Sequence, residues 1–352
     1  MFRRVLGPIR RRPVAFVAVF FALGGGAVAA SVKGAAPRSA PIDARVFVGG
    51  KPAGIEVGAG AVWVGVFTGL TGGEVVRIDP GTKKVRARIP VTGASGLAFG
   101  AGAVWAGASD ELTGTVTRID PHSDRIVARV HVPRYGPHGL AVGAGAVWVA
   151  DSSGGGTVHI GNATIGFGSV VRIDPRGNRT RIIRAGSGTQ RVAVGLGAVW
   201  ATNTDDSTVT RIDARSGRVV ETIPVAPCPV GIVVGAGAVW VGHCSNAIER
   251  RPGRVTKIDP RTNRPVAEVV VGKDPNGIAV SGGLVWVANE GGDTITRIDP
   301  RTVKVVDTLA VPTGRERVAP NPADIAAGAG GVWISNNGDG TVARIDLSKL
   351  RP

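Results

Sequence analysis

Asp274 to Val311 reads DPNGIAVSGGLVWVANEGGDTITRIDPRTVKVVDTLAV, and recognisable copies of this unit fill nearly all of the 352-residue chain after residue 50. All seven tryptophans (Trp63, Trp105, Trp148, Trp200, Trp240, Trp286, Trp333) fall at the same point of the unit. The 270 residues from the first to the last make six intervals, a mean period of 45. Each copy continues into an Arg/Lys-Ile-Asp triplet, from Arg77-Ile78-Asp79 through Lys257-Ile258-Asp259 to Arg344-Ile345-Asp346. Self-similarity at a fixed period of this length marks a solenoid, a propeller or an array.

Within one copy the apolar runs are short, rich in Val and Ile, and separated by turn residues, so they read as strands. In the quoted unit the four strands are 277–280, 284–288, 294–299 and 303–309. The first turn is Gly-rich, as in Gly58-Ala59-Gly60, which suits a tight hairpin needing positive φ. The third is Asp-Pro-x-Thr in its fullest form, where the Asp side chain bonds the backbone ahead and Pro fixes φ. Four antiparallel strands per copy and seven copies predict an all-β fold, a seven-bladed β-propeller. The seventh copy stops after its third strand, at Asp346, while an orphan piece, Ala44 to Gly49, precedes the first copy and matches the fourth strands. It is therefore expected to complete the last blade and close the ring.

The propeller is assigned to residues 44–349 and a flexible lead-in to 31–43. Residues 1–30 carry five arginines, an apolar run from Val14 to Leu23 and a small-residue exit, the pattern of a secretory signal peptide cleaved after Ala29 or Ala30. An uncleaved anchor is the alternative, since Pro13 to Ala30 just reaches the length of a membrane span. Both readings place the protein outside the cytoplasm, secreted or associated with the envelope. The two cysteines, Cys228 and Cys244, lie at equal distances from the turn at Ala236, which opposes them across a hairpin within disulfide range. Two buried free thiols are the alternative.

The formal charge is +16, and +11 without the five leader arginines. Much of it falls on the third turns and outer strands, which open on one face of the ring, called the bottom. An anionic wall polymer or anionic lipid is the partner this charge fits; arginine guarding exposed edge strands is the competing explanation. Nucleic acid is not expected, because export removes it and no aromatic stacking series accompanies the charge. Asp205, Asp206, Asp293 and Asp339 are scattered turn residues without calcium-loop spacing, so no metal site is expected.

Propeller ligands often sit on the opposite, top face, where the inner strands begin around the channel. Two positions per repeat are expected at that rim. Ten residues before each Trp stand Ala53, Ser95, His138, Gln190, Val230, Asn276 and Ala323. Three residues after it stand Val66, Ala108, Asp151, Asn203, His243, Asn289 and Asn336. Blades one and two are nearly apolar here, whereas blades three to seven are polar. Longer connections gather on the same side: Ser152 to Gly168 with His159, the approach to blade three with Tyr135, and the stretch through Asn246, Glu249 and Arg250. These features point to a top-face pocket over blades three to six that takes an unidentified small molecule or an envelope protein. Local backbone bonding competes as the role of the asparagines, and strand capping as that of His243. His138 and Asp151 are placed to tune each other from opposite strand ends of one hairpin.

With P-x-G-I before the first strand, V-W-V-A-N on the second and T-x-T-R-I-D-P on the third, the repeats resemble the YVTN-type seven-bladed propellers and, more distantly, virginiamycin B (streptogramin) lyase. The lyase resemblance implies a carbon–oxygen elimination that opens a cyclic ester, assisted by Mg²⁺. Its histidine falls on His138 in Pro137-His138-Gly139-Leu140, and its acid on Asp151, an Asp where the family has Glu. Without that activity no cofactor is implied. The preferred reading is a non-enzymatic binding module acting through the top face. The lyase with His138 as general base, and a scaffold using the basic bottom face, are the alternatives.

Overall fold

Short apolar strands, each closed by a turn needing a left-handed residue, give every repeat the same antiparallel sheet. The computed structural model describes residues 36–69, 72–109, 114–132, 136–152, 157–160, 163–166, 168–245, 252–314 and 317–350. Blade one consists of Lys51–Gly58, Ala61–Phe67, Gly73–Asp79 and Lys84–Pro90, hydrogen-bonded in that order from the channel outward. The unit quoted above forms Pro275–Ser281, Leu284–Asn289, Thr294–Asp299 and Lys304–Ala310, each within a residue or two of its predicted span. Seven such blades follow one another, and the inner strand of the seventh packs on that of the first. The molecule is thus the expected all-β, seven-bladed propeller.

The seam is closed as predicted. Ile42–Phe47 pairs with Thr341–Asp346 as the outer strand of blade seven, with Val46 opposite Val342. Part of the lead-in is paired. Arg38–Ser39 runs parallel to the outer strand of blade six, the Arg38 guanidinium donates to Asp307 at 2.7 Å, and Ala40 N–H donates to Ala310 O at 2.8 Å. An outer strand presents unpaired backbone groups, and here residues 38–40 of the lead-in occupy some of those of blade six.

The turns explain the composition. The first hairpin of each blade places two successive residues at positive φ, Ala59 at 49° and Gly60 at 70° in blade one, the conformation that matches strand twist. In the third turn the Asp79 carboxylate accepts from the N–H groups of Gly81 and Thr82 at 3.0 and 2.7 Å. At the inner strands the blades approach so closely that a Cβ on Gly328 would lie 2.7 Å from Val57 Cγ1 of the next blade.

Tryptophan and the Arg/Lys-Ile-Asp triplet act as one device. Each indole is buried, and its N–H donates to the carbonyl five residues earlier, from Trp63 to Gly58 at 3.0 Å through Trp333 to Gly328 at 3.2 Å. Directly across the sheet the triplet's cation covers the ring, Arg211 lying 5.0 Å from the Trp200 centroid, an attraction the ring quadrupole supplies. In blades one, two, four and five the same cation then reaches the next blade's third turn, whereas Arg297 pairs with Asp307 of its own blade's outer strand at 2.6 Å. Arg77 donates to Asp124 at 3.0 Å, Arg118 to Pro175 O at 3.0 Å, Arg211 to Pro260 O at 2.9 Å and Lys257 to Pro300 O at 2.8 Å. Buried indoles in every blade, and these cations at the lower edges of blades one, two, four and five, hold neighbours in register.

Cys228 and Cys244 form a disulfide with their Cα atoms 5.6 Å apart, so the paired reading is the observed one. It suggests a non-reducing, extracytoplasmic environment. Among the described residues, no helix is long and apolar enough to cross a membrane.

Candidate functional site

The inner strands begin at the top of the ring, and in five repeats the residue nine before the tryptophan is glycine: Gly54, Gly96, Gly139, Gly231 and Gly277. A Cβ there would strike the next blade; on Gly96 it would lie 2.3 Å from His138 O, and on Gly231 1.9 Å from Asn276 O. Blades four and seven break this rule with Arg191 and Asp324. The same two blades are also the ones that place a hydroxyl two residues after the tryptophan, Thr202 and Ser335, where the others have Gly or Ala. Thr202 Oγ1 accepts from Arg191 N at 3.2 Å and donates to Val230 O of the next blade at 3.0 Å. Ser335 Oγ accepts from Asp324 N at 3.1 Å and donates to Ala53 O at 2.5 Å. A hydroxyl bridge thus replaces the close backbone contact and frees the ninth position to carry a charged side chain.

Those two side chains meet. The Arg191 guanidinium donates to Asp324 Oδ2 at 3.3 Å and to Asn276 Oδ1 at 3.3 Å. Blades four and seven are three apart in the ring, so the ion pair spans the central opening. Asn276 Nδ2 in turn donates to Glu290 Oε2 at 3.1 Å. The Glu56 carboxyl, two residues past Gly54 on the inner strand of blade one, is pushed up to about 7 by withdrawal from water and then by the Asp324 carboxylate, while the Val57 N–H opposes the shift. Guanidinium has five N–H donors in a fixed fork; bonds of 3.3 Å are at the long end for such pairs, which leaves Arg191 able to exchange them for a ligand carboxylate or phosphate.

His138, ten residues before its tryptophan, is exposed at the same mouth. Its basicity is lowered by loss of surrounding water and then by the Arg191 charge, with the Asp151 carboxylate acting in the other direction. Gln190 and Asn276 are half-buried at the equivalent positions, and only Asn276 of these two bonds the charged cluster. Tyr135 lies outside the described residues, as do Asn246, Glu249 and Arg250. The strand Thr157–Ile160, which contains His159, pairs with Ala163–Gly166 as an added hairpin on blade three.

The positions three after each tryptophan are placed differently from the expected rim. Asp151, Asn203, His243, Asn289 and Asn336 are all at most 1% exposed. Each ends a second strand that the third strand covers, and the side chains turn to that neighbour. Asn203 Nδ2 donates to Thr208 and Thr210 at 2.9 and 2.8 Å, Asn289 Nδ2 to Thr294 and Thr296 at 3.1 and 2.9 Å, and Asn336 Nδ2 to Thr341 at 3.0 Å. His243 Nε2 meets Thr256 Oγ1 at 2.8 Å, and burial above all pushes its imidazole down to about 4. Asp151 accepts from Ser169 at 3.4 Å. The T-x-T run of the third strand is the sequence signal of this internal ladder.

A cleft of 750 Å³ opens at the seam of blade seven, between Arg45, Phe47, Thr341, Asp339 and Val318. It lies away from the stretch over blades three to six where a pocket was expected. Among the described residues, no group of three or more His, Cys, Asp or Glu converges as a metal site.

No family model matches the chain, and no curated protein does. A solved structure of similar fold is Kuenenia stuttgartiensis hydrazine synthase, with a TM-score of 0.68 and 15% identity, covering 90% of this chain and 99% of that one. At such identity the likeness establishes the fold alone, and 1087 solved chains share it to a recognisable degree, so it carries no statement about activity.

Proposed function

We propose that this protein is an exported, non-enzymatic binding module whose top face takes a small polar ligand, or a polar segment of an envelope protein, at the mouth of the ring. The observation that carries the reading is the pair Arg191 and Asp324, charged residues at positions that are glycine in the other five blades, meeting Asn276 and Glu290 across the opening. A fold that needed only to close would keep glycine there. Arg191 supplies donors for an anionic group, and Asp324 and Glu290 supply acceptors for hydroxyl or ammonium groups beside it. Export rests on the arginine-led apolar segment at residues 1–30 and on the disulfide.

A second reading, a carbon–oxygen lyase of the virginiamycin B lyase type, is favoured by His138. It stands exposed at the mouth, its basicity lowered by loss of surrounding water and by Arg191, within electrostatic reach of Asp151. Among the described residues no group of three or more His, Cys, Asp or Glu converges to hold the Mg²⁺ of that reading. The discriminating experiment incubates the protein with a streptogramin B depsipeptide and follows its mass. The binding-module reading expects the ring to stay closed; ring opening that disappears in His138→Ala replaces it with the lyase.

A further inference from the structure

The bottom face carries cations and exposed aliphatic side chains together. In blades three to five the third turns project Arg176, Arg179, Arg215, Arg218, Arg261 and Arg264, all exposed. The acids of the same turns, Asp174, Asp213 and Asp259, are folded back onto backbone N–H groups of Arg176, Ser216 and Arg261 at 3.0, 2.6 and 2.9 Å. Six arginines stand against these three aspartates, of which Asp174 and Asp259 also pair with Arg179 and Arg261 at 3.7 and 3.5 Å, so the turns keep a net positive charge. Immediately after these turns the outer strands expose Ile182, Val219, Val220 and Val266, each 45–54% accessible.

Leu196 adds an independent observation. It occupies the tip of the first turn of blade four, on the same face, where the other blades have Ala or Gly. Its φ is 53° and it is 50% exposed. A leucine in the left-handed region is strained relative to glycine, and an exposed one gains no burial to offset this. Alanine or glycine serves the turn at lower cost elsewhere in the ring, so this side chain is retained at a position where the fold does not need it.

We infer that the bottom face over blades three to five docks on an anionic lipid surface, with the arginines at the head groups and Leu196 and the neighbouring valines entering the interface. Cations attract an anionic bilayer, while apolar side chains strengthen binding only if they leave water, which a bilayer allows and a soluble polyanion does not. The inference is independent of the top-face reading, and variants at Arg191 leave it untouched.

The test is flotation of the processed chain from Ser31, which contains every strand of the closed ring, with phosphatidylcholine vesicles made with and without phosphatidylglycerol. Association is expected only with phosphatidylglycerol. Arg215→Gln with Arg218→Gln is expected to weaken it at least about tenfold, and Leu196→Gly about threefold or more, although glycine relieves the turn and does not lower the melting temperature. Absence of association dependent on phosphatidylglycerol overturns the inference. So does vesicle binding that Leu196→Gly leaves unchanged while soluble polyphosphate competes fully, the outcome of a face that recognises charge alone.

Discussion

Glu56→Gln should stabilise the ring at about pH 8 and change it little at about pH 4.5, because the folded protein holds a proton on Glu56 that the unfolded chain releases. The carboxyl is pushed from its ordinary 4.5 to about 7 by burial at the inner strand of blade one and then by Asp324. A group with a raised folded value contributes stability that is complete below 4.5 and is lost as pH rises through about 7. At full size the loss is about 3 kcal/mol. Glutamine keeps the shape and the acceptor for Val57 N–H, and has no proton to lose. Thermal unfolding from about pH 4.5 to 8 should therefore show the variant diverging upward from wild type, by on the order of 5 °C at the alkaline end. His243, whose value is pushed down to about 4, changes stability in the opposite direction over part of this range, so the difference between the two proteins is the informative quantity. A constant difference across the range, or a variant less stable at high pH, refutes the placement of Glu56 beside Asp324 away from water. Asp324→Asn should shift the divergence to lower pH by the smaller, electrostatic share alone.

Reduction, or Cys228→Ser with Cys244→Ser, should cost about 3 kcal/mol and lower the melting temperature without opening the ring, read by calorimetry with and without reductant. Acid should unfold the protein cooperatively, since Asp79 and its counterparts Asp120, Asp174, Asp213, Asp259, Asp299 and Asp346 are all held below the usual carboxylate range, chiefly by backbone N–H or serine hydroxyl donors of their turns. Stability from depressed carboxylates is present above their unfolded value and lost as pH falls through the folded one, so the loss should begin below about pH 4 and steepen with further acid. Removing residues up to Val48 strips Val46 and Val48 from the core that buries Trp333 and bares the edge of Thr341–Asp346; the truncated chain should aggregate, and a peptide spanning residues 38–49 added in trans should restore the monomer on gel filtration.

The ring was legible because its defining side chains repeat. Tryptophan at a fixed phase, the Arg/Lys-Ile-Asp triplet and the Gly-x-Gly turn each recur with a single geometric role, and the orphan strand before the first copy matched a strand missing from the last. Cys228 and Cys244 were legible for the same reason, as symmetric positions on one hairpin. The rim was harder, because a strand end beside the channel faces either the opening or the neighbouring strand, and spacing alone does not decide which. His138 and Asn276, ten residues before tryptophan, face the mouth, whereas Asn203, Asn289 and Asn336, three after it, are consumed by threonines of the third strand. Arg191 and Asp324 were missed although the sequence carries their signal twice: loss of glycine nine residues before tryptophan coincides with gain of a hydroxyl two after it, at Thr202 and Ser335. That correlation acquires meaning only when the two positions are known to be neighbours across the sheet.

Native mass spectrometry of the protein recovered from an exporting host's culture, beside the Arg191→Gln, Asp324→Asn variant, bears most directly on whether the mouth of the ring is a binding site. The wild type should carry a noncovalent small-molecule or peptide mass that the variant lacks at equal thermal stability. Two species with the same bound mass, or a wild type that is bare even after incubation with the host's culture filtrate, would contradict the account.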